Sequence, residues 1–115
     1  LLRISRSDTG RRTLGILEYD HGVLTMPLGD EETAVGSGAV ELGVYADETR
    51  IQFRWRDAHP TGDWQEIGPS FDPTKLSDDY AIPLGFTGTF VGVGCFDTSG
   101  RRMPADFGYL SYREW

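Results

Sequence analysis

The stretch that decides the fold is FTGTFVGVGCFDTSGRRMPADFGYLSYREW, residues 86–115. In its first part, residues 89–96, side chains of two sets alternate along the sequence. Because successive side chains of a strand point to opposite faces, the pattern predicts a strand with one β-branched face and one face where aromatics alternate with glycine. A run with so little charge predicts burial on both faces, and a polar turn then leads to a second strand. The first face would carry Thr89, Val91, Val93 and Cys95, and the second Phe90, Gly92, Gly94 and Phe96.

Upstream of this stretch, further strand-like runs recur at short intervals with turn residues between them. Asp20-His21-Gly22 separates two of these runs and predicts a hairpin. The cleanest alternation places Ile51, Phe53 and Trp55 inward and Arg50, Gln52, Arg54 and Arg56 outward, which is typical of a sheet with one wet face. The predicted strands are residues 1–6, 13–19, 23–28, 39–46, 49–56 and 64–67.

The remaining segments are predicted to be connections. Residues 29–38 form an acidic loop, 57–63 a polar loop and 82–85 a connector, while 73–79 could form one helical turn. No segment keeps helical periodicity over several turns. The predicted fold class is therefore all-β, an antiparallel β-sandwich or jelly roll.

Composition limits the class of protein. A chain of 115 residues is at most one domain, residues 1–115, and 38% hydrophobic with 25% charged residues excludes intrinsic disorder. The formal charge of −7 repels phosphate backbones and anionic lipids, so nucleic acid and membranes are not expected partners. The sequence has no signal peptide and no apolar run long enough to span a bilayer. No feature assigns a cellular location.

The beginning of the chain predicts a strand from residue 1, because Leu2 and Ile4 alternate with Arg3 and Ser5. We therefore expect the chain to be the C-terminal portion of a longer polypeptide and the sandwich to be incomplete at its N-terminal end. In isolation such a portion would leave an unpaired edge and exposed apolar surface. We expect a partner that completes it, either an upstream segment or a second copy.

Acidic residues are numerous, and a pair of carboxylates with unlike pKa values is what hydrolysis of a glycosidic bond requires. Most of these acids lie in predicted turns, where solubility and turn formation explain them. Asp106 differs because it precedes the last strand, and we assign it a structural role. The turn acids are Asp20, Asp30, Glu31, Glu32, Asp47, Glu48, Asp78 and Asp79.

Other chemistry is weakly indicated. His21 and His59 are far apart, and only Asp57, His59 and Asp63 could gather around calcium. No serine lies in a nucleophile elbow, and Cys95 is predicted to be a buried small hydrophobe. We expect no catalytic residue, metal or cofactor in this chain.

Aromatic side chains offer the one binding hypothesis with a physical basis, because sugar rings stack on exposed aromatic faces. Trp55 lies on the apolar face of its strand, and Trp64 follows a Gly-Asp turn, so both are predicted to be core residues. The role of Trp115 is left open. The possible platforms are Trp55, Trp64, Trp115, Tyr45 and Tyr109, and no substrate-binding residue is assigned.

Several segments together resemble the C-terminal concanavalin A-like β-sandwich of glycoside hydrolase family 43, the β-xylosidase and α-L-arabinofuranosidase group. Their order and spacing match throughout the chain, and the last three in series are the most specific. The segments are Leu-Arg-Ile-Ser-Arg (2–6), Gly-Ile-Leu (15–17), Ile-Gly-Pro-Ser-Phe-Asp (67–72), Leu-Ser-Asp-Asp-Tyr (76–80), Gly-Phe-Thr-Gly-Thr-Phe-Val-Gly (85–92) and Pro-Ala-Asp-Phe (104–107).

The resemblance implies an accessory domain that packs against a catalytic β-propeller, which holds the reactive carboxylates and inverts the anomeric carbon. None of those acids falls within this sequence. The chain departs from the family where an acidic residue tends to follow Asp-Phe, because Gly108 occupies that position.

On this basis we expect an accessory portion of a glycoside hydrolase acting on xylose- or arabinose-containing saccharides. The alternative is a stand-alone carbohydrate-binding module or lectin-like sandwich. A β-sandwich unrelated to sugars is the third interpretation.

Overall fold

The computed structural model describes residues 1–29, 31–80, 89–100, 102 and 104–114. It contains eight strands: β1 (Leu2–Arg6), β2 (Arg12–Ile16), β3 (Glu18–Asp20), β4 (Val23–Thr25), β5 (Thr33–Val35), β6 (Val40–Ala46), β7 (Ile51–Asp57) and β8 (Gln65–Phe71). Two short 3-10 helices follow, Pro73–Leu76 and Asp78–Tyr80. All strand pairs are antiparallel, so the all-β prediction is confirmed.

The strands form two three-stranded sheets and one hairpin. The first sheet has the order β1-β2-β5, the second β6-β7-β8, and β3 pairs with β4. The β3–β4 turn has positive φ at both central residues, 48° at His21 and 82° at Gly22, as a tight hairpin turn that follows the strand twist requires. The predicted hairpin about this turn is confirmed.

A small core joins the two sheets. Leu14 of β2, which is 0% exposed, packs with Trp55 of β7 and Ile67 of β8. Partly buried side chains from both sheets and from the segment between β4 and β5 surround these three: Leu2, Ile4, Leu28, Val35 and Phe53. The inward placement predicted for Phe53 and Trp55 is confirmed, and the layers are those of a sandwich.

The second sheet contains a bulge where it meets the first. Gly68, Pro69 and Ser70 of β8 lie opposite the single residue Gln52 of β7, because Ile51 pairs with Phe71 and Phe53 with Ile67. Gln52 is only 5% exposed, although the alternation predicted it to face solvent. Its amide donates to the carbonyl oxygens of Ile67 and Gly68 at 3.2 and 3.3 Å, acceptors that the bulge would otherwise leave unpaired.

The final segment differs from its prediction. The described residues 89–100 and 104–114 contain no strand, and Phe90 and Phe96 are 89% and 88% exposed. Cys95 is exposed as well, so its assignment as a buried hydrophobe is wrong. A strand exists only with a hydrogen-bonded neighbour, and an isolated two-stranded ribbon is marginal in water. Phe86, the connector 82–85 and Trp115 lie outside the described residues.

Smaller differences concern the loops. The acidic segment 29–38 contains strand β5, which is too short to show a period, and β8 extends four residues beyond the predicted end at Ile67, to Phe71. Residues 73–76 do form the helical turn, and the side chain of Asp72 caps it by accepting from the Thr74 backbone N–H at 2.9 Å.

One apolar face is left partly open. Leu42 and Val44 of β6 pair with Trp55 and Phe53 and so share the inner face, yet each is 42% exposed. Within the described residues, β6 lies at the edge of its sheet. The inner face is therefore covered over β7 and β8 but not fully over β6.

Gly68 provides a test of the inter-sheet contact. Its φ is +73°, and a Cβ added there would lie 2.3 Å from Cδ1 of Ile16 in the facing sheet. We expect Gly68→Ala to destabilise the fold through left-handed strain, about 1 to 2 kcal/mol, and overpacking, about 1 to 3 kcal/mol. Urea denaturation measures the loss. Gly36→Ala is the matched control, because a Cβ at Gly36 meets nothing within 4 Å. Equal stability of the two variants would contradict the packing described.

Candidate functional site

The outer face of the second sheet carries the most organised group of polar and aromatic side chains. In the strand register, Glu41 lies opposite Arg56 and Gly43 lies opposite Arg54. Trp64, just before β8, covers this group: the guanidinium carbons of Arg54 and Arg56 lie 4.4 and 4.5 Å from its ring centroid. Both distances are within the range of cation–π attraction.

The local sequence explains how Trp64 reaches this face. The 57–64 connection folds back on itself, with the Gly62 N–H donating to the Asp57 carbonyl at 2.9 Å. Gly43 then leaves room beneath the ring, since a Cβ there would lie 3.2 Å from Cη2 of Trp64 and 3.1 Å from Cγ of Arg54. The absence of a side chain at Gly43 therefore allows the indole and the Arg54 side chain to pack directly on the backbone of β6.

The two arginines beside Trp64 on this face differ in their hydrogen-bond partners. The Arg56 Nε donates to Oε2 of Glu41 at 2.5 Å, and the Tyr109 hydroxyl donates to Oε1 of Glu41 at 2.6 Å. The Tyr109 hydrogen bond, with that of Arg56, lowers the pKa of Glu41 below its ordinary value. Arg54 receives no such partner: within the described residues no carboxylate or carbonyl accepts from it, and its buried Nε is unpaired.

This arrangement corrects the assignment of Trp64. Trp55 is a core residue as predicted, at 8% exposure, but Trp64 is 37% exposed and lies on the opposite face of the sheet. The predicted core role of Trp64 is wrong because the indole stacks on arginines rather than on apolar side chains. Of the other possible platforms, Tyr45 donates to Asp47 at 2.9 Å and Tyr109 is exposed beside Glu41.

A second polar cluster connects distant parts of the chain. Asp20 of β3 accepts from Nζ of Lys75 at 2.8 Å and from the Tyr80 hydroxyl at 3.0 Å. Lys75 also lies 3.6 Å from Glu18, and His21 packs edge-on against Tyr80 with ring centroids 4.5 Å apart. The hydrogen bond from Lys75 is the first cause that lowers the pKa of Asp20. Asp20 thus does more than promote solubility: it ties the β3–β4 hairpin to the 3-10 helices.

A third cluster lies on the outer face of the first sheet. Glu32 accepts hydrogen bonds from Arg3 and from the Thr13 hydroxyl, and the Arg3 guanidinium also reaches Ser5. Arg12 donates to the carbonyl oxygens of Gly36 and Gly38 at 2.6 and 2.7 Å. An open depression adjoins this cluster, lined by Ser5, Arg6, Ser7, Arg11, Thr13, Met26, Gly29 and Glu32. Glu32, expected to be a simple turn acid, joins β1, β2 and the approach to β5.

The remaining candidate residues are not brought together. Asp57, His59 and Asp63 form no group of metal ligands within the described part of the chain. Asp106 is exposed, and Asp30 lies outside the described residues. Asp47 does act as a turn acid: it accepts from the Thr49 hydroxyl at 2.6 Å and from the backbone N–H groups of Thr49 and Arg50 at 2.7 and 2.9 Å, which holds its pKa far below the ordinary value.

Sequence reasoning placed Arg54 and Arg56 correctly on the outer face but missed their association with Trp64. The available signal was an Arg-x-Arg pair on the wet face of β7, a glycine at the matching position of β6, and a tryptophan that enters β8. Among the described residues, no helix is long and apolar enough to cross a membrane.

Two stacked antiparallel sheets with a polar outer face define this molecule as an all-β sandwich. Comparison with known families is specific: residues 1–113 match the beta xylosidase C-terminal concanavalin A-like domain. The chain belongs to this family. No solved structure matches it.

Curated relatives agree with the family. The chain is 33% identical over 102 residues to a putative beta-xylosidase of Escherichia coli, covering 88% of this chain and 19% of the relative. It is 53% identical over 53 residues to a beta-xylosidase of Bacillus subtilis, covering 45% of this chain and 10% of the relative. It is 30% identical over 115 residues to a xylan 1,3-beta-xylosidase of Vibrio sp., covering 98% of this chain and 21% of the relative. The chain thus spans at most about a fifth of these relatives.

The Asp20 cluster predicts a pH dependence. Because the folded-state pKa of Asp20 is lowered from 3.8, its stabilising contribution is present above pH 3.8 and is lost as the pH falls through the folded value. We expect Asp20→Asn to lower the melting temperature at pH 7, and the difference from wild type to shrink as the pH falls below 3.8. Asp79→Asn, a charge change on the adjoining 3-10 helix, is the control. A difference that stays constant with pH would contradict the role of this carboxylate.

Proposed function

We propose that this chain is the accessory β-sandwich portion of a glycoside hydrolase that acts on xylose- or arabinose-containing polysaccharides or oligosaccharides. In this proposal the sandwich supports a catalytic propeller that is not part of this sequence. The observation that carries the proposal is the family match over residues 1–113. The xylosidase names of the relatives support the class of substrate.

The carboxyl groups of the chain support a non-catalytic role. Glycosidic hydrolysis needs one carboxyl group whose pKa is raised so that it can protonate the leaving group. Four carboxyl groups of the described residues, Asp20, Glu41, Asp47 and Asp72, have a pKa displaced downward. Each is held as a carboxylate by hydrogen bonds, which suits a structural part and not a general acid.

The partly open inner face supports a partner. Leu42 and Val44 expose apolar surface on the side of the sheet that elsewhere forms the core. Burial of such surface stabilises by about 25 cal/mol per Å², so covering it is favourable. In our proposal the cover is polypeptide of the same enzyme that lies next to this domain, with a second copy as the other arrangement. Carbohydrate is the substrate of the whole enzyme.

The alternative is a carbohydrate-binding module. One observation favours it, the 37% exposure of Trp64 on a polar face, since an exposed aromatic is what sugar stacking requires. The two functions are compatible, because an accessory domain can both support a catalytic domain and contact a saccharide.

A chimera tests the proposed function. In the Vibrio relative, the segment matched over 115 residues is replaced by this chain, and hydrolysis of β-1,3-xylan is measured. We expect activity from the chimera, none from the relative truncated before that segment, and none from this chain alone. Activity of this chain alone would show that it carries its own catalytic residues. A truncated relative as active as the intact enzyme would show that the sandwich is dispensable.

A further inference from the structure

We infer that the outer face of the second sheet is a binding site for an acidic saccharide, in which Arg54 holds the carboxylate and Trp64 packs against the sugar ring. The juxtaposition behind this inference is one unpaired guanidinium stacked on an exposed indole. The choice of a saccharide ligand rests on the proposed function, whereas the anionic group follows from the residues of the site.

Arg54 is the cation of this face that remains available. Arg56 is engaged by Glu41 at 2.5 Å, and Arg50 lies 3.8 Å from Glu66. Arg54 lies beside Glu66 in the register but forms no ion pair with it or with any other described residue. An arginine that is half buried and lacks an acceptor pays a desolvation cost that an added carboxylate would offset.

The contact with Trp64 leaves the hydrogen-bond donors of Arg54 unused. The guanidinium carbon lies 4.4 Å from the ring centroid, within cation–π range, and such a contact does not pair the N–H groups with an acceptor. The Nε of Arg54 is buried and unpaired, and Arg54 forms no ion pair with a described carboxylate. Two parallel N–H groups of a guanidinium match the two oxygens of a carboxylate.

The surroundings fit a sugar better than a bare anion. Trp64 offers a partly exposed aromatic surface, and Glu41 with the Tyr109 hydroxyl adjoins Arg56, the second arginine at its ring. A few polar groups around an aromatic surface are typical of small-molecule sites. On this face Glu41 pairs with Arg56 and Glu66 lies 3.8 Å from Arg50, which leaves the charge of Arg54 without a described carboxylate partner. An acidic ligand therefore meets locally favourable charge.

Two matched ligands test the inference, measured by calorimetry on the full-length protein that carries these residues, without reference to hydrolysis. One is a xylo-oligosaccharide with a single glucuronic acid branch, and the other is the same oligosaccharide without the branch. We expect the acidic ligand to bind about tenfold more tightly at low salt, with a preference that shrinks as salt is added. An inactive chimera together with binding of the acidic ligand would contradict the proposed function alone, whereas an active chimera without such binding would contradict this inference alone.

Variants locate the site. Arg54→Gln should abolish the preference for the acidic ligand while binding of the neutral ligand stays unchanged, which also shows that the fold is intact. Arg54→Lys should keep part of the preference, because it retains charge without the planar fork. Trp64→Ala should weaken the binding of both ligands. Arg50→Gln is the matched control, an arginine of the same face that should leave the preference in place.

Three results would overturn the inference. The first is equal binding of the acidic and neutral ligands by the wild-type protein. The second is a preference that survives Arg54→Gln. The third is the absence of binding of either oligosaccharide by the wild-type protein.

Discussion

The contact between Leu14, Trp55 and Ile67 is the interaction on which the rest of the structure depends. It joins the β1-β2-β5 sheet to the β6-β7-β8 sheet and contains three of the five buried apolar side chains of the described residues. Because Trp55 of β7 points inward, Arg54 and Arg56 on either side of it must point outward, where they contact Trp64. The inner core therefore fixes which residues of β7 lie on the outer polar face. A shift of β7 by one residue would move its core residues to the outer face and its arginines into the core.

The bulge at Gly68 shows how closely the core and the polar groups are coupled. Gly68 approaches Ile16 so closely that no side chain fits, and three residues of β8 lie opposite one residue of β7. The side-chain amide of Gln52, on the neighbouring strand, donates to the carbonyl oxygens of Ile67 and Gly68. A polar residue at a position that alternation assigns to solvent is thus buried for a local reason: it replaces the ladder hydrogen bonds that the bulge removes.

The parts of the fold that sequence can predict are those governed by short-range pattern. The alternation of β7, the Asp20-His21-Gly22 turn and the helical turn after Pro73 each depend on neighbouring residues, and all three are present. Which strands pair with one another cannot be predicted from the sequence in the same way. Strand β5 is too short for a period, the strand-like pattern of residues 89–96 finds no neighbour among the described strands, and the position of Trp64 depends on a glycine two strands away. These features arise from long-range contacts, which local pattern does not encode.

The hydrogen bonds that Asp20 accepts from Lys75 and Tyr80 span 55 and 60 residues of sequence. During translation, β1 and β2 can pair as soon as both have left the ribosome, whereas the hairpin of β3 and β4 cannot be fastened until Tyr80 has emerged. The hairpin is thus built early and attached late. While the 60 residues between Asp20 and Tyr80 are being added, a nascent chain would carry this hairpin without its attachment to the 3-10 helices.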